Sequence, residues 1–142
     1  TEEELPNMGD VALGVTTVFH WSAAGDRPAN KAFVAAWKKE YGQNETPNFL
    51  SVGSWDGTAM IFEAIKRQKG KLDPDRTMEI FKGWKNANSP RGPISIDPET
   101  RDIIQPEYLR EVRKVNGQLV NVELETLGTA VKDPWKELQK KK

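Results

Sequence analysis

Residues 11–21, VALGVTTVFHW, carry no acidic or basic charge and are dominated by β-branched and aromatic side chains, the composition of a buried strand, so a strand is predicted over about residues 14–20. Residues 22–26 are small and polar and contain Gly25, as in a loop, before Pro28 opens the next element. That loop is a candidate crossover. From residue 28 to 41, Phe33, Val34, Trp37 and Tyr41 recur at three- and four-residue spacing, with Lys31, Lys38, Lys39 and Glu40 elsewhere on the wheel. This is a helix, ended by Gly42. A second helix is predicted over about residues 48–69, with Val52, Trp55, Met60, Ile61, Ala64 and Ile65 inside it and Gly70 after it.

Asp73-Pro74 places a capping side chain before a proline suited to the first helical turn, and Met78, Ile80, Phe81 and Trp84 follow in a short third helix. Residues 86–93 have the Asn, Ser, Pro and Gly density of a loop, and Ile94-Ser95-Ile96 alternates like a short strand. Residues 108–115 and 119–127 flank Asn116-Gly117, the strongest short hairpin signal, because a tight primed turn needs positive φ at both central residues. Asp133-Pro134-Trp135 caps a C-terminal helix that runs into lysines, with Trp135 as its docking anchor. No repeat of fixed period and no low-complexity segment is present.

The chain has 142 residues, one ordinary domain's length, for which roughly 68% of the unfolded surface can be buried. Lys plus Arg and Asp plus Glu are 21 each, so no global field draws in nucleic acid or an anionic membrane. The local excess at Lys136, Lys140, Lys141 and Lys142 reads as a solvated helix end, where cations suit the negative pole of the helix dipole. With no cysteine there is no disulfide and no thiolate metal site. No apolar run approaches the ~18 residues that span a bilayer. The chain opens on Thr1-Glu2-Glu3-Glu4 without an initiator Met or a signal peptide, as a fragment or trimmed product would.

Five pieces in order resemble the last third of type I periplasmic binding proteins, specifically the leucine/isoleucine/valine-binding family. They are GVTTVFHW…DRPAN (14–30), FVAAWKKEYG (33–42), SWDGTAMIFEAI (54–65), RGPISID (91–97) and the hairpin YLREVRKVNGQLV (108–120). Family members usually have Tyr, Asp and Ala where this chain has Trp55, Asp56 and Gly57. The resemblance implies an α/β fold of two lobes with the ligand in the cleft between them, crossed three times by the chain. It further implies that 1–21 ends the second lobe, 22–28 is a crossover, 29–106 is part of the first lobe, 107–127 is a closing hairpin of the second, and 128–142 is a C-terminal helix and tail. Neither lobe is then complete, and the apolar helix faces with Phe33, Trp37, Ile61 and Ile65 are expected to associate with the missing N-terminal part or a second copy.

By the same resemblance the protein is a periplasmic capture subunit of an ABC importer, exported by a signal peptide not present here. Its partners are then the membrane permease subunits and a small amino acid or carboxylate, aromatic acids included, with no cofactor and no metal. A sensor ectodomain of the same fold is the alternative, and a hydrolase fragment a remoter one. His20 is the sole histidine, and no G-x-S-x-G, P-loop, G-x-G-x-x-G or H-E-x-x-H motif accompanies it, so it reads as a structural or cleft-lining residue and not a catalytic base. Asp56 stands in an uncharged stretch, residues 49–62, where an unpaired buried carboxylate is costly. It therefore accepts hydrogen bonds from a ligand or caps a helix starting at Gly57. Trp21 and Trp55 flank predicted breaks and suit the apolar walls of a cleft, while Trp37 and Trp84 sit on apolar helix faces as core. The cleft candidates are thus His20, Trp21, Trp55 and Asp56.

Overall fold

The computed structural model describes residues 1–139; of the basic tail, Lys140, Lys141 and Lys142 lie outside the described residues. Three helices make the central part: α2 (Pro28–Tyr41), α3 (Phe49–Arg67) and α4 (Pro74–Lys82). Their starts follow from local chemistry. Pro28 occupies the first turn of α2, where its missing N–H costs nothing. Asn48 caps α3 by accepting from the Ser51 N–H at 3.0 Å, and the Ser51 hydroxyl accepts in return from the Asn48 N–H, a reciprocal capping box. Asp73 accepts from the Arg76 N–H at 2.8 Å and opens α4. The N-terminal segment, for which the apolar pattern predicts nothing, forms α1 (Leu5–Met8) and a 3-10 turn (Gly9–Ala12), and α5 (Trp135–Gln139) closes the described chain. Asp133 caps α5 as expected, but Trp135 is 63% exposed and is not a buried anchor among the described residues.

The strands are β1 (Thr16–Phe19), β2 (Lys85–Asn86), β3 (Ile94–Ile96), β4 (Ile103–Val115) and β5 (Gln118–Val131), all pairing antiparallel. β4 is the shared strand. Its start pairs with β3 at Ile103 and Ile104, and its middle pairs with β1 at residues 108–111. Between these two ladders lie Gln105, buried Pro106 and Glu107, where the β4–β5 register shifts repeatedly. Proline cannot donate to a ladder, so a bulged, proline-bearing stretch is the place where a strand can leave one partner and take up another. The hairpin runs longer than its predicted 108–127, and its turn has φ of 52° at Asn116 and 81° at Gly117, as the primed turn demands.

Two small cores form. Leu5, Ala12 and Val112 pack together beneath the hairpin, with Leu119 against them. Trp21, Phe33 and Val52 form the other, joining the end of β1 to α2 and α3; each such side chain contributes about 1.5–3 kcal/mol when fully buried. The uncharged run 11–21 is not the buried strand that its composition predicts. Val11 is 83% exposed and Val18 55%, with Leu13 and Val15 also open, because nothing among the described residues covers them. The helices divide similarly. Phe33 is sealed by Trp21 and Val52, whereas Ile61 stays exposed.

Candidate functional site

The charged chemistry concentrates where β1 ends, beside the core of Trp21, Phe33 and Val52. His20 stacks at 4.3 Å between ring centroids on Phe19 and lies edge-on to Phe49 at the start of α3, 6.5 Å away. Phe19 and Phe49 meet edge to face at 5.5 Å, so the imidazole is one member of a three-ring wall. Burial first, then the charges of Arg91 and Arg110, lower its pKa from 6.5 to about 4. The ring is therefore neutral at physiological pH and offers one donor and one acceptor. No hydrogen bond within the described residues engages either ring nitrogen, and neither is sealed away from solvent.

Arg110 supports this wall from β4. Its guanidinium carbon stands 4.8 Å from the Phe19 ring centroid, Nη1 donates to the Trp21 carbonyl at 2.6 Å, and Nε and Nη2 donate to the Thr17 hydroxyl. Glu2 lies 3.5 Å from the same guanidinium, a buried counter-charge. Trp21 itself is fully buried, its indole N–H donating to Asn30 Oδ1 at 2.7 Å, while Asn30 Nδ2 donates to the carbonyls of Ser22 and Gly25 at 2.9 Å each. One asparagine thus sews the loop after β1 onto α2.

Asp56 lies in mid-helix, one residue before Gly57, so it caps no helix start; α3 begins at Phe49 because Asn48 supplies the cap. Its Oδ2 accepts from Arg91 Nε at 2.9 Å and from the Ser89 hydroxyl at 2.8 Å, all three residues being buried. Arg91 Nη1 continues to Gln105 Oε1 at 2.7 Å, which ties α3, the loop before β3 and the irregular stretch of β4 into one network. Burial pushes the Asp56 carboxyl above its ordinary range, against the opposing pull of Arg91, Ser89 and Asn86. Trp55 projects elsewhere, since neighbours on a helix are about 100° apart around its axis. Half exposed, it meets the Phe33 ring at 5.3 Å and lines an apolar groove of about 440 Å³ between α2 and α3 with Trp37, Tyr41 and Phe62.

The four expected residues therefore fall into three settings. His20 and Asp56 both feel the charge of Arg91, Trp21 is buried in the core with Phe33 and Val52, and Trp55 belongs to the groove on another side of α3. Sequence reasoning missed Arg91 and Arg110. A signal for Arg110 existed: Tyr108, Arg110 and Val112 share one face of β4 at period two, all buried, and a cation on a buried face must find a partner.

The sequence model of the family described as periplasmic binding protein matches residues 1–118 of this chain. A curated relative, the Leu/Ile/Val-binding protein homolog 6 of Brucella abortus, is 44% identical over 126 residues, which cover 88% of this chain and 32% of the relative. The solute binding protein of an ABC transporter from Rhodopseudomonas palustris BisB5, solved with 3,4-dihydroxybenzoic acid, is 51% identical, with a TM-score of 0.88 over 95% of this chain and 36% of that one. Its counterpart from Rhodopseudomonas palustris HaA2, solved with p-hydroxybenzoic acid, is 44% identical, with a TM-score of 0.85 over 92% of this chain and 35% of that one. The chain thus spans about a third of the length of these relatives.

Proposed function

The chain belongs to the periplasmic binding protein family, and from that premise we propose that it is part of a non-enzymatic solute-binding protein capturing a small aromatic carboxylate for an ABC importer. Its fold is the α/β fold of the type I periplasmic binding proteins. The observation that carries the ligand class is His20, a neutral imidazole with both nitrogens unengaged among the described residues, set in a wall of phenyl rings and backed by two guanidiniums. Rings give an aromatic ligand its stacking surface, the positive field favours its carboxylate, and the imidazole supplies an orienting hydrogen bond. The two Rhodopseudomonas relatives hold benzoic acids, which supports this choice over the branched-chain amino acids that name the Brucella relative.

In this reading residues 1–21 and 107–127 belong to one lobe, 29–106 to the other, 22–28 form a crossover, and 128–142 follow as a C-terminal helix and tail. The transfer of β4 from β3 to β1 supports such a division, and His20 then stands on the cleft side of the seam. Trp21 and Asp56 hold that wall in place from behind, and Trp55 faces the remainder of the first lobe. The site of action is the periplasm, and the membrane permease subunits are the partners. A thermal-shift screen of the full-length protein against 4-hydroxybenzoate, 3,4-dihydroxybenzoate, benzoate, leucine, isoleucine, valine and sugars tests the reading. A hydroxybenzoate at a hundredfold excess over its Kd is expected to add about 2.7 kcal/mol of stability. Stabilisation by sugars alone, or by aliphatic amino acids alone, would reject the aromatic assignment.

A further inference from the structure

Arg27 lies in the loop between β1 and α2, and its side chain reaches the loop before β3 as well as β4 and β5. Its Nε donates to the Pro90 carbonyl at 3.0 Å in the loop before β3. Nη1 and Nη2 donate to the two carboxylate oxygens of Glu123 on β5, at 2.6 and 2.9 Å. The guanidinium plane lies over the Tyr108 ring on β4, 4.6 Å from its centroid, and the Tyr108 hydroxyl donates back to the Arg91 carbonyl at 2.6 Å. The pair is largely enclosed, with side chains 22% and 13% exposed.

The surrounding backbone is shaped to seat this side chain. A Cβ on Gly25 would fall 2.5 Å from Arg27 Nη2 and 2.8 Å from Glu123 Oε1, both ends of a pinned pair. One on Gly92, at φ of 102°, would fall 2.8 Å from the Tyr108 hydroxyl. Two glycines from two different loops therefore leave room for one guanidinium and the ring beneath it. A bidentate, stacked arginine fixes direction as well as distance, which a lysine at the same place does not. Enclosed ion pairs add little net stability over well-packed apolar residues, and in some proteins they fix one conformation instead.

We propose that Arg27 is a positioning residue for the hinge, bolting the crossover 22–28 to β4, β5 and the loop before β3 at one angle and so setting how wide the ligand cleft stands open. The inference rests on the two-lobed capture reading above, and Arg27 itself touches no ligand in it. Loosening the bolt broadens the range of cleft widths, so the binding-competent geometry is populated for less of the time and dissociation quickens.

The test uses the full-length protein, with spin labels on cysteines placed at Lys39 on α2 and Glu125 on β5 in an otherwise cysteine-free background. Distances are measured without ligand and with 4-hydroxybenzoate, 3,4-dihydroxybenzoate and leucine as probes. Arg27→Gln and Glu123→Gln are expected to widen the ligand-free distribution alike, the double variant adding nothing further, and Gly25→Ala to widen it with both charges kept. For whichever probe the wild type binds, affinity falls by about tenfold, mostly through faster dissociation. Unchanged ligand-free widths in Arg27→Gln would overturn the proposal, as would widening in Arg27→Gln alone with Glu123→Gln like the wild type. Wild-type protein whose label distances respond to none of the three probes would count against the capture reading, and the ligand-free widths would still judge the bolt.

Discussion

Arg91 meets Asp56 through Nε at 2.9 Å, two side chains 35 residues apart with 7% and 3% of their surface left to solvent. Each needs the other: desolvating either charge alone costs more than the structure can offset, whereas together, with Ser89 and Gln105 filling the remaining valences, they join α3 to the two loops beside it.

Asp56→Ala is accordingly expected to cost about 3–5 kcal/mol, because it strands the Arg91 guanidinium in the interior. A double replacement by apolar residues of similar volume should recover much of that loss, as burial without charge leaves nothing unpaired. Urea denaturation of the three proteins is the check. A loss below about 1 kcal/mol for Asp56→Ala would mean that solvent reaches the pair after all.

Gly92→Ala combines two faults. The residue sits at φ of 102°, where L side chains are strained, and its new methyl group would lie 2.8 Å from the Tyr108 hydroxyl and 3.1 Å from Pro106 Cγ. A loss of about 2–4 kcal/mol is expected, strain and displacement together. Adding Tyr108→Phe should return only a small part, since Pro106 and the backbone angle remain. A variant that melts with the wild type would show that this loop adjusts freely.

Much of this was legible in advance where a local rule decides: Pro28, Asn116-Gly117 and Asp73-Pro74 place their elements through chemistry contained within a few residues. Asn48 was harder, because its cap works through Ser51 and not through the Glu or Gln of the familiar pattern. The apolar run 11–21 misled for a different reason. Composition reports that a segment wants cover and is silent on whether the cover belongs to the same stretch of chain. His20 drew notice because it is unique, but Arg27, Arg91 and Arg110 resemble any surface arginine until Glu123, Asp56 and the Trp21 carbonyl, 96, 35 and 89 residues away, are in place. Only the period-two face of β4 carried a hint for Arg110.

The imidazole of His20 makes acid stability a readout of the site. Its folded pKa of about 4 lies below the ordinary 6.5, so the folded state binds fewer protons than the unfolded one between those values. Its contribution is complete above about pH 6.5 and is lost as pH falls toward 4. His20→Gln should flatten the pH dependence of unfolding across that window, and an NMR titration should show the wild-type ring unprotonated at pH 5.5. A ring that titrates near 6.5 would mean that the two arginines and burial do not act on it as described.

The last expectation concerns the groove between α2 and α3. Trp55, Tyr41 and Phe62 are 50%, 62% and 58% exposed, and with Trp37 they line about 440 Å³ of open, mostly apolar space. Exposed large apolar side chains are ordinary when scattered, but contiguous patches of this kind mark surfaces that are covered in the working molecule. Since the chain spans about a third of its relatives' length, the missing portion is the expected cover. Residues 1–142 produced alone should therefore bind a hydrophobic dye and scatter light as an associated species. Supplying the remainder of the protein as a separate polypeptide should abolish both signals and shift tryptophan emission to the blue as Trp55 is buried. Trp55→Ser with Phe62→Ser should reduce self-association of the isolated chain and weaken its capture of the remainder. A sharp-melting monomer that binds no dye would show that the groove is stable in water, and that the division into two incomplete lobes is wrong.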